Sequence, residues 1–267
     1  MGYLFDPRNW EWLITGNNLR FLLEGFAVNL QIAAIAMAFS LAAGLLLALL
    51  RLSRLRAVSV LAGTWVDVWR NLPLIFLVLY LALGLPEPWR EAYESAVPGF
   101  FPEALKSGRV LAALLGLVLY NSAVLAEIMR AGIQSLERGQ REAALALGLS
   151  YRQSMRFVIL PQGLRRMVPA TVSQLITLNK DTTLVSIIAI QEVMRHGRIL
   201  SSFGFFGGVQ APVLQVFIFI GLLFVTVNLL LSRLSRRLEI RERRRTGTTL
   251  RRVGGLEDQV AAEGELR

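Results

Sequence analysis

Apolar residues along this chain form long runs, and short polar stretches rich in arginine separate them. A helix of ~20 mainly apolar residues is long enough to span the hydrocarbon core of a bilayer. Runs of about this length predict five transmembrane helices, at residues 25–50, 57–85, 110–129, 167–190 and 211–231. We therefore predict an all-α integral membrane protein with a membrane domain at residues 21–238. Residues 1–20 would form an outer or interfacial segment, and the charged residues 239–267 a tail that we expect to be disordered.

The positions of the arginines predict how the chain is oriented. Arg51, Arg54 and Arg56 directly follow the first apolar run, with no acidic residue among them. The stretch 130–166 carries seven arginines against two glutamates, and more arginines follow the last run. Cytoplasmic loops of membrane proteins carry an excess of Lys and Arg, so this alternation predicts an outer N-terminus and a cytoplasmic C-terminus. Residues 130–166 then form a cytoplasmic loop, and the near-neutral residues 86–108 lie outside.

Two of the apolar runs contain polar residues or a proline at their centres. Pro73 follows the polar pair Arg70 and Asn71 within the second run. Proline removes a backbone donor and disfavours a helical conformation at the residue before it, so we expect a helix that bends here. Lys180 and Asp181 lie near the middle of the fourth run. Charged side chains at that depth are expected to face protein or water rather than lipid.

Composition narrows the classes of function. The net charge of +10 could indicate nucleic-acid binding, but the arginines lie at the ends of apolar runs, as in cytoplasmic anchors, so we discount it. The absence of cysteine excludes a disulfide framework and thiolate metal sites. With one histidine, no metal cluster or His-dependent triad can be assembled, and we predict no enzyme active site. We expect that histidine, His196, to be solvated in an outer loop at 191–210 that is rich in glycine and phenylalanine.

The polar stretch Glu142–Pro161, which we call the elbow, reads EAALALGLSYRQSMRFVILP. It begins with good helix formers, and Gly148 is a natural C-terminal stop. Ser150 can cap a new helix, and Pro161 lies where that helix must kink or restart. The pattern predicts a helix, a glycine turn and a second helix on the cytoplasmic side.

The elbow resembles the EAA loop of type I importer permeases of the ATP-binding-cassette (ABC) class. The matching positions are Glu142, Ala143, Ala144, Gly148, Ile159, Leu160 and Pro161. The flanking residues 120–140 and 160–186 are similar to the polar amino-acid permeases of the histidine, glutamine and glutamate branch. The resemblance runs from about Gly25 to Arg237 and leaves both ends of the chain outside it.

This resemblance implies a type I importer permease fold and an ATP-driven amino-acid importer in the cell inner membrane. A coupling helix at about 147–155 would dock on a separate ATPase subunit, which binds the ATP and Mg²⁺, since this chain has no phosphate-binding loop. The coupling residues are then Glu142, Ala143, Ala144, Gly148, Leu149, Ser150, Leu160 and Pro161. The other implied partners are the bilayer, an extracytoplasmic amino-acid-binding protein and a second permease, either an identical copy or a homologue.

Candidate residues for the substrate pathway are Arg70, Asn71, Asn121, Lys180, Asp181, Thr182 and Thr183. The ammonium group of Lys180 could meet a substrate carboxylate, or it could pair with Asp67 on another helix. Asp181 could likewise pair with Arg70. Arg70 could otherwise bind substrate or hold the carbonyls freed at the helix break, in a segment where the family often shows Arg-Gly-Thr-Pro and this chain has Arg-Asn-Leu-Pro. Asn121 could line a gate or bond across helices.

Two other classes of function remain open at this point. A self-contained secondary transporter could use Lys180 and Asp181 as an ion or proton relay. A membrane-embedded assembly or sensor protein could bind lipid through its basic tail. For the importer, the cationic residues Arg70 and Lys180 favour glutamate, glutamine or aspartate as the substrate.

Overall fold

A computed structural model describes residues 6–136, 138–203 and 211–245, and every regular element in these residues is helical. The α-helices are α1 (Glu11–Ile14), α2 (Asn18–Arg51), α3 (Arg56–Asn71), α4 (Leu74–Gly84), α5 (Glu87–Ala96), α6 (Glu103–Lys106), α7 (Gly108–Gln134), α8 (Arg138–Ala146), α9 (Tyr151–Gln153), α10 (Leu160–Asp181), α11 (Val193–Phe203) and α12 (Val213–Arg245). Residues Pro7–Trp10 and Thr182–Ile188 form 3₁₀ turns, and Ser154–Ile159 form a π-helical turn.

The centre of the structure is the packed pair of long helices α2 and α7. A β-carbon built on Gly44 would lie 2.9 Å from the β-carbon of Leu125 and 3.1 Å from the carbonyl oxygen of Ser122. The two backbones therefore meet closely at this glycine. In a membrane, where lipid is as apolar as leucine, such close approach through small residues is a main source of helix association.

Three helices of the described residues are long and apolar enough to cross a membrane, namely α2, α7 and residues 213–241 of α12. A fourth candidate is the pair α3 and α4, whose axes differ by 97°. The fourth predicted span, residues 167–190, falls on α10 and the 3₁₀ turn that follows it. These elements are not among the helices that meet this test of length and apolarity, so the structure supports three or four spans on that test.

The bend between α3 and α4 lies where the sequence predicts it. Leu72 is extended, with ψ at 135°, and Pro73 begins the next turn by accepting a 3.0 Å hydrogen bond from the amide of Phe76. The side chain of Asn71 folds back on its own helix and donates to the carbonyl of Asp67 at 2.7 Å. Proline sterics produce the break.

The predicted outer loop at 191–210 is in part a helix, and the prediction for His196 was wrong. Helix α11 occupies residues 193–203, while residues 204–210 lie outside the described residues. His196 is only 8% exposed, its ring stacks on Phe21 with ring centres 3.8 Å apart, and its Nδ1 lies 2.7 Å from the Phe21 carbonyl oxygen. Burial lowers the pKa of His196 below its ordinary value, so it is a neutral packing residue.

The two ends of the predicted membrane domain also differ from the sequence interpretation. Helix α12 continues without a break to Arg245, through residues that we expected to be disordered from 239 onward, and residues 246–267 lie outside the description. At the other end, Trp12 is buried and packs in a cluster with Leu22 and Val193, so part of the predicted outer or interfacial segment packs on the helices. Residues 1–5 are outside the description as well.

Replacing Gly44 with alanine should destabilise the fold. The added methyl would meet the β-carbon of Leu125 and a backbone carbonyl, neither of which can rotate away, so a penalty of about 1–3 kcal/mol is expected. Gly221→Ala on α12 is the matched control, because its β-carbon meets nothing within 4 Å. Thermal unfolding of the purified protein in detergent should show a melting temperature lowered by several degrees for Gly44→Ala alone. Equal melting temperatures for the two variants would contradict this account of the helix crossing.

Candidate functional site

The first half of the elbow is a helix that ends on a glycine in the left-handed conformation. Gly148 has φ at +79°, its amide donates to the carbonyl of Leu145 at 2.9 Å, and the amide of Leu149 donates to the carbonyl of Ala144 at 3.1 Å. This pair of bonds is the Schellman motif, which satisfies carbonyls at the end of α8. A β-carbon on Gly148 would meet nothing within 4 Å, so the glycine is required for its backbone conformation and not for close packing.

The second half of the elbow starts two residues later with a capping box. The Ser150 hydroxyl accepts from the amide of Gln153 at 3.4 Å, and the side chain of Gln153 accepts from the amide of Ser150 at 2.8 Å. The helix therefore begins at Tyr151, whereas the resemblance placed a coupling helix at about 147–155. The predicted turn-and-cap pattern is present, and residues 147–150 form the turn itself.

The chain does not break at Pro161. A π turn comes immediately before it, in which the amide of Leu160 donates to the carbonyl of Met155, and helix α10 follows directly. Residues from Tyr151 to Asp181 are consequently helical without interruption. At 1.5 Å per residue this segment extends roughly 45 Å, long enough to connect the elbow to the interior of a bilayer.

The start of α10, directly after the elbow, is braced against the end of α7. A β-carbon on Gly163 would lie 3.0 Å from the α-carbon of Ile133, and one on Gly132 would lie 3.2 Å from the Gly163 carbonyl oxygen. Arg166 caps α7 by donating to the carbonyl of Ser135 at 2.9 Å. The two helices therefore approach as closely as their backbones allow.

Much of the elbow surface is open to a partner. Ala144 and Ile159 are buried at 3% and 2% exposure, and Ile159 packs in a cluster with Ala126 of α7 and Met167 of α10. Glu142, Ala143, Leu145, Leu147, Gly148 and Ser150 are exposed. Leu147 at 83% and Phe157 at 63% present large apolar side chains. Large apolar side chains exposed on both halves of the elbow are available to contact another protein.

An ion-pair network that the sequence did not predict lies where α2, α3 and α7 meet. Arg51 pairs with Glu127, whose other oxygen accepts from Arg130 at 2.8 Å. Arg51 also lies 3.8 Å from Asp67, and Asp67 lies 4.0 Å from Arg70. The side chains of Arg51 and Glu127 are 18% and 17% exposed, so this pair is substantially desolvated. Arg51 is thus a structural ion-pair partner as well as part of a basic loop.

The candidate pathway residues separate into accessible and enclosed groups. Arg70, Asn71 and Lys180 are exposed, and Asp181 and Thr183 are half-buried. Among the salt bridges of the described residues, none includes Lys180 or Asp181. The suggested pairing of Lys180 with Asp67, or of Asp181 with Arg70, is therefore absent from this conformation.

Asn121 and Thr182 are fully buried and hydrogen-bonded between helices. Gln174 donates to the side-chain oxygen of Asn121 at 2.7 Å, which joins α7 to α10. The hydroxyl of Thr182 donates to the carbonyl of Asn179 at 2.7 Å and accepts from Asn29 at 3.0 Å. Both side chains serve helix packing in this conformation, as interhelical polar groups in membranes commonly do.

Sequence reasoning missed a buried acidic residue beside this cluster. Glu192 is completely enclosed, and its carboxylate accepts from Asn29 at 3.1 Å and from the amides of Met194 and Arg195 at 3.0 and 2.7 Å. It thereby caps the first turn of α11 and joins that helix to α2. The sequence signal for this cap was an acidic residue directly before an amphipathic segment. It was overlooked because residues 191–210 were predicted to be a loop. Within the described part of the chain, no group of three His, Cys, Asp or Glu could hold a metal ion.

Comparisons with known proteins are consistent across sequence and structure. Residues 40–244 match the family described as "Binding-protein-dependent transport system inner membrane component". The chain is 36% identical over 225 residues to the probable glutamine ABC transporter permease protein GlnP of Bacillus subtilis, covering 84% of this chain and 95% of that protein. It is 34% identical over 231 residues to the glutamate/aspartate import permease protein GltK of Escherichia coli O6:H1, with coverages of 85% and 97%.

Solved structures agree with this result. The crystal structure of an amino acid ABC transporter with histidines superposes with a TM-score of 0.68 at 26% identity, covering 84% of this chain and 94% of that chain. An inward-facing structure of the methionine ABC transporter MetNI gives a TM-score of 0.61 at 19% identity, with coverages of 82% and 96%, and shows likeness of fold alone. Taken with the family match, these relatives show that the chain belongs to the binding-protein-dependent transport system inner membrane component family, whose members are the permease subunits of ABC transporters.

Proposed function

We propose that this permease imports an amino acid and that its elbow receives the movement of a separate ATPase subunit. The observation that carries the proposal is the junction at residues 147–150, where a Schellman motif and a capping box follow each other with one residue, Leu149, between Gly148 and Ser150. Every backbone turn in the junction is held by hydrogen bonds, so a force applied at its exposed face is transmitted rather than absorbed. The two helices on either side are braced by buried Ala144 and Ile159.

The movement would pass along the continuous helix from Tyr151 to Asp181. One end of that helix is the elbow, and the other end is the polar cluster in which Asn179 donates to Asn228 and Thr182 bonds Asn29. A displacement of the elbow therefore bears directly on contacts between α2, α10 and α12. Helix shifts of about 1–2 Å at such interfaces are a common way to switch between alternate conformations.

The orientation follows from the arginine-rich loops. A cytoplasmic elbow requires the N-terminus outside and the C-terminus inside, with five crossings. In this arrangement the bent pair α3 and α4 supplies one crossing and α10 with its 3₁₀ turn supplies another. The polar residues of α10 would be tolerated because they face the protein or a water-filled path rather than lipid.

The accessible polar residues are the ones proposed to meet substrate. Arg70, Asn71 and Lys180 are exposed on the chain, with Asp181 and Thr183 partly accessible beside Lys180. Asn121 and Thr182 would reach substrate only after helices separate, because both are enclosed here. Every amino acid carries a carboxylate that Lys180 or Arg70 could bind.

Substrate identity and partners follow the relatives. GlnP and GltK carry names for glutamine and for glutamate and aspartate, which supports an acidic amino acid or its amide. Membership of a binding-protein-dependent transport family supports an external binding protein that delivers the substrate. We further propose that two permease subunits, identical or homologous, form the path and that two ATPase subunits bind the two elbows.

A secondary transporter driven by an ion gradient is the alternative. It would need Lys180 and Asp181 to exchange protons with neighbouring groups, but neither forms a salt bridge within the described residues. This alternative is tested by measuring amino-acid uptake by vesicles that contain the permease alone.

Transport by the reconstituted system tests the proposal as a whole. Vesicles containing this chain, its ATPase and its binding protein should accumulate labelled glutamine or glutamate only when ATP is supplied on the elbow side. Vesicles with the permease alone should accumulate none, because the chain has no phosphate-binding loop. Uptake by the permease alone under a proton gradient would establish the alternative instead.

Replacing Gly148 with valine should weaken the coupling between the elbow and the ATPase subunit. A β-branched residue is strongly disfavoured at φ of +79°, so the turn must change shape and the two helices must change their angle. Substrate-stimulated ATP hydrolysis by the assembled transporter should fall at least several-fold. Gly139→Val is the matched control, since Gly139 lies in the same loop and its β-carbon would meet nothing within 4 Å. If substrate stimulates ATP hydrolysis in both variants as strongly as in the unmodified transporter, the elbow does not receive the movement of the ATPase.

A further inference from the structure

A cavity lies between the loop that follows α2 and the second half of the elbow. Its volume is about 370 Å³. The α2 side contributes Leu50, Arg54 and Leu55, and the elbow side contributes Tyr151, Arg152 and Met155. The cavity therefore joins two segments that lie about 100 residues apart in sequence, at the end of a helix long and apolar enough to span a membrane.

The polar part of this cavity is positively charged. The guanidinium of Arg54 stacks on the ring of Tyr151, with its central carbon 3.9 Å from the ring centre. Stacking fixes the plane of the guanidinium and leaves its N–H edge available to an oxygen anion. Arg152 lies on the same wall, and the salt bridges of the described residues include neither arginine. Two arginines that form no salt bridge among the described residues suit a phosphate group.

The remainder of the lining is hydrocarbon. Leucines from the last turn of α2 and the following loop, together with Met155, form most of the wall. Leu55 is 68% exposed and Leu50 is 37% exposed, so apolar surface continues out of the cavity. A free phosphate ion would gain nothing from this surface, whereas the acyl chains of a lipid would bury it.

We propose that this cavity binds the phosphate headgroup of an anionic phospholipid from the leaflet on the elbow side. Arg54 and Arg152 hold the phosphate, and the leucines lie along the acyl chains. Basic pockets at the cytoplasmic ends of membrane helices recognise such headgroups. The lipid then bridges the α2–α3 loop and the second half of the elbow, so the charge of the leaflet sets how firmly the elbow is held. This inference rests on the proposed cytoplasmic position of the elbow.

Lipid retention by the purified transporter tests the site. The complex with its ATPase is exchanged into detergent containing phosphatidylglycerol or phosphatidylcholine, and bound lipid is counted by native mass spectrometry. The unmodified complex should retain phosphatidylglycerol in preference to phosphatidylcholine. Arg54→Gln should lower retention of phosphatidylglycerol about fivefold, and Arg54→Gln with Arg152→Gln should lower it further. Arg56→Gln, an equal loss of charge two residues away and outside the cavity, should retain the lipid normally.

Four results would overturn the inference. Equal losses in Arg54→Gln and Arg56→Gln would show attraction to general surface charge. Displacement of the lipid by inorganic phosphate would show a site for a free anion. Retention of the lipid by the permease alone but not by its complex with the ATPase would show that the ATPase occupies the cavity. Because retention is measured without transport, failure of amino-acid uptake would count against the proposed function and leave this inference intact. Equal retention by all variants would remove the inference and leave the proposed function standing.

Discussion

The reversal of the chain at residues 147–150 is the constraint on which the rest of the structure depends. Two helix ends meet there, and each helix end leaves backbone groups that need hydrogen-bond partners. The left-handed Gly148 lets the carbonyls of Ala144 and Leu145 be satisfied, and Ser150 with Gln153 satisfies the amides of the next helix. A turn in which every residue is engaged has one shape. It can therefore carry a load that a flexible loop would not.

The turn can transmit movement because it is joined directly to a long helix that reaches the polar interior. From Tyr151 the chain is helical to Asp181, and the close approach of Gly132 and Gly163 holds this helix against α7. At the far end, Asn29 joins Thr182 to the enclosed carboxylate of Glu192. The elbow and the polar interior thus belong to one packed unit. A partner that moves the elbow acts on the interior through side chains that are already in contact.

The sequence predicted the features whose cause is local. The break near Pro73 follows from proline sterics, and the turn at Gly148 follows from the order of helix formers, glycine and serine. Prediction from the sequence failed where a residue's environment depends on a partner far away along the chain. His196 packs on Phe21, which lies 175 residues earlier in the chain, and Glu192 bonds Asn29 from 163 residues away. Neighbouring arginines made His196 look solvated, and only the assembled helices show the apolar face that buries it.

Rigidity of the elbow relative to its helix is the central claim, and a distance measurement tests it most directly. The chain has no cysteine, so spin labels can be attached at introduced cysteines replacing Leu147 on the elbow and Thr177 on α10, both exposed. Electron-resonance distances are compared between the nucleotide-free and ATP-bound transporter. The account predicts that the distance from Leu147 to Thr177 keeps a single value, changing by less than about 2 Å, while the elbows of the two permease subunits move relative to each other. A shifted or second distance between Leu147 and Thr177 on ATP binding would show that the elbow swings independently, and it would contradict the account.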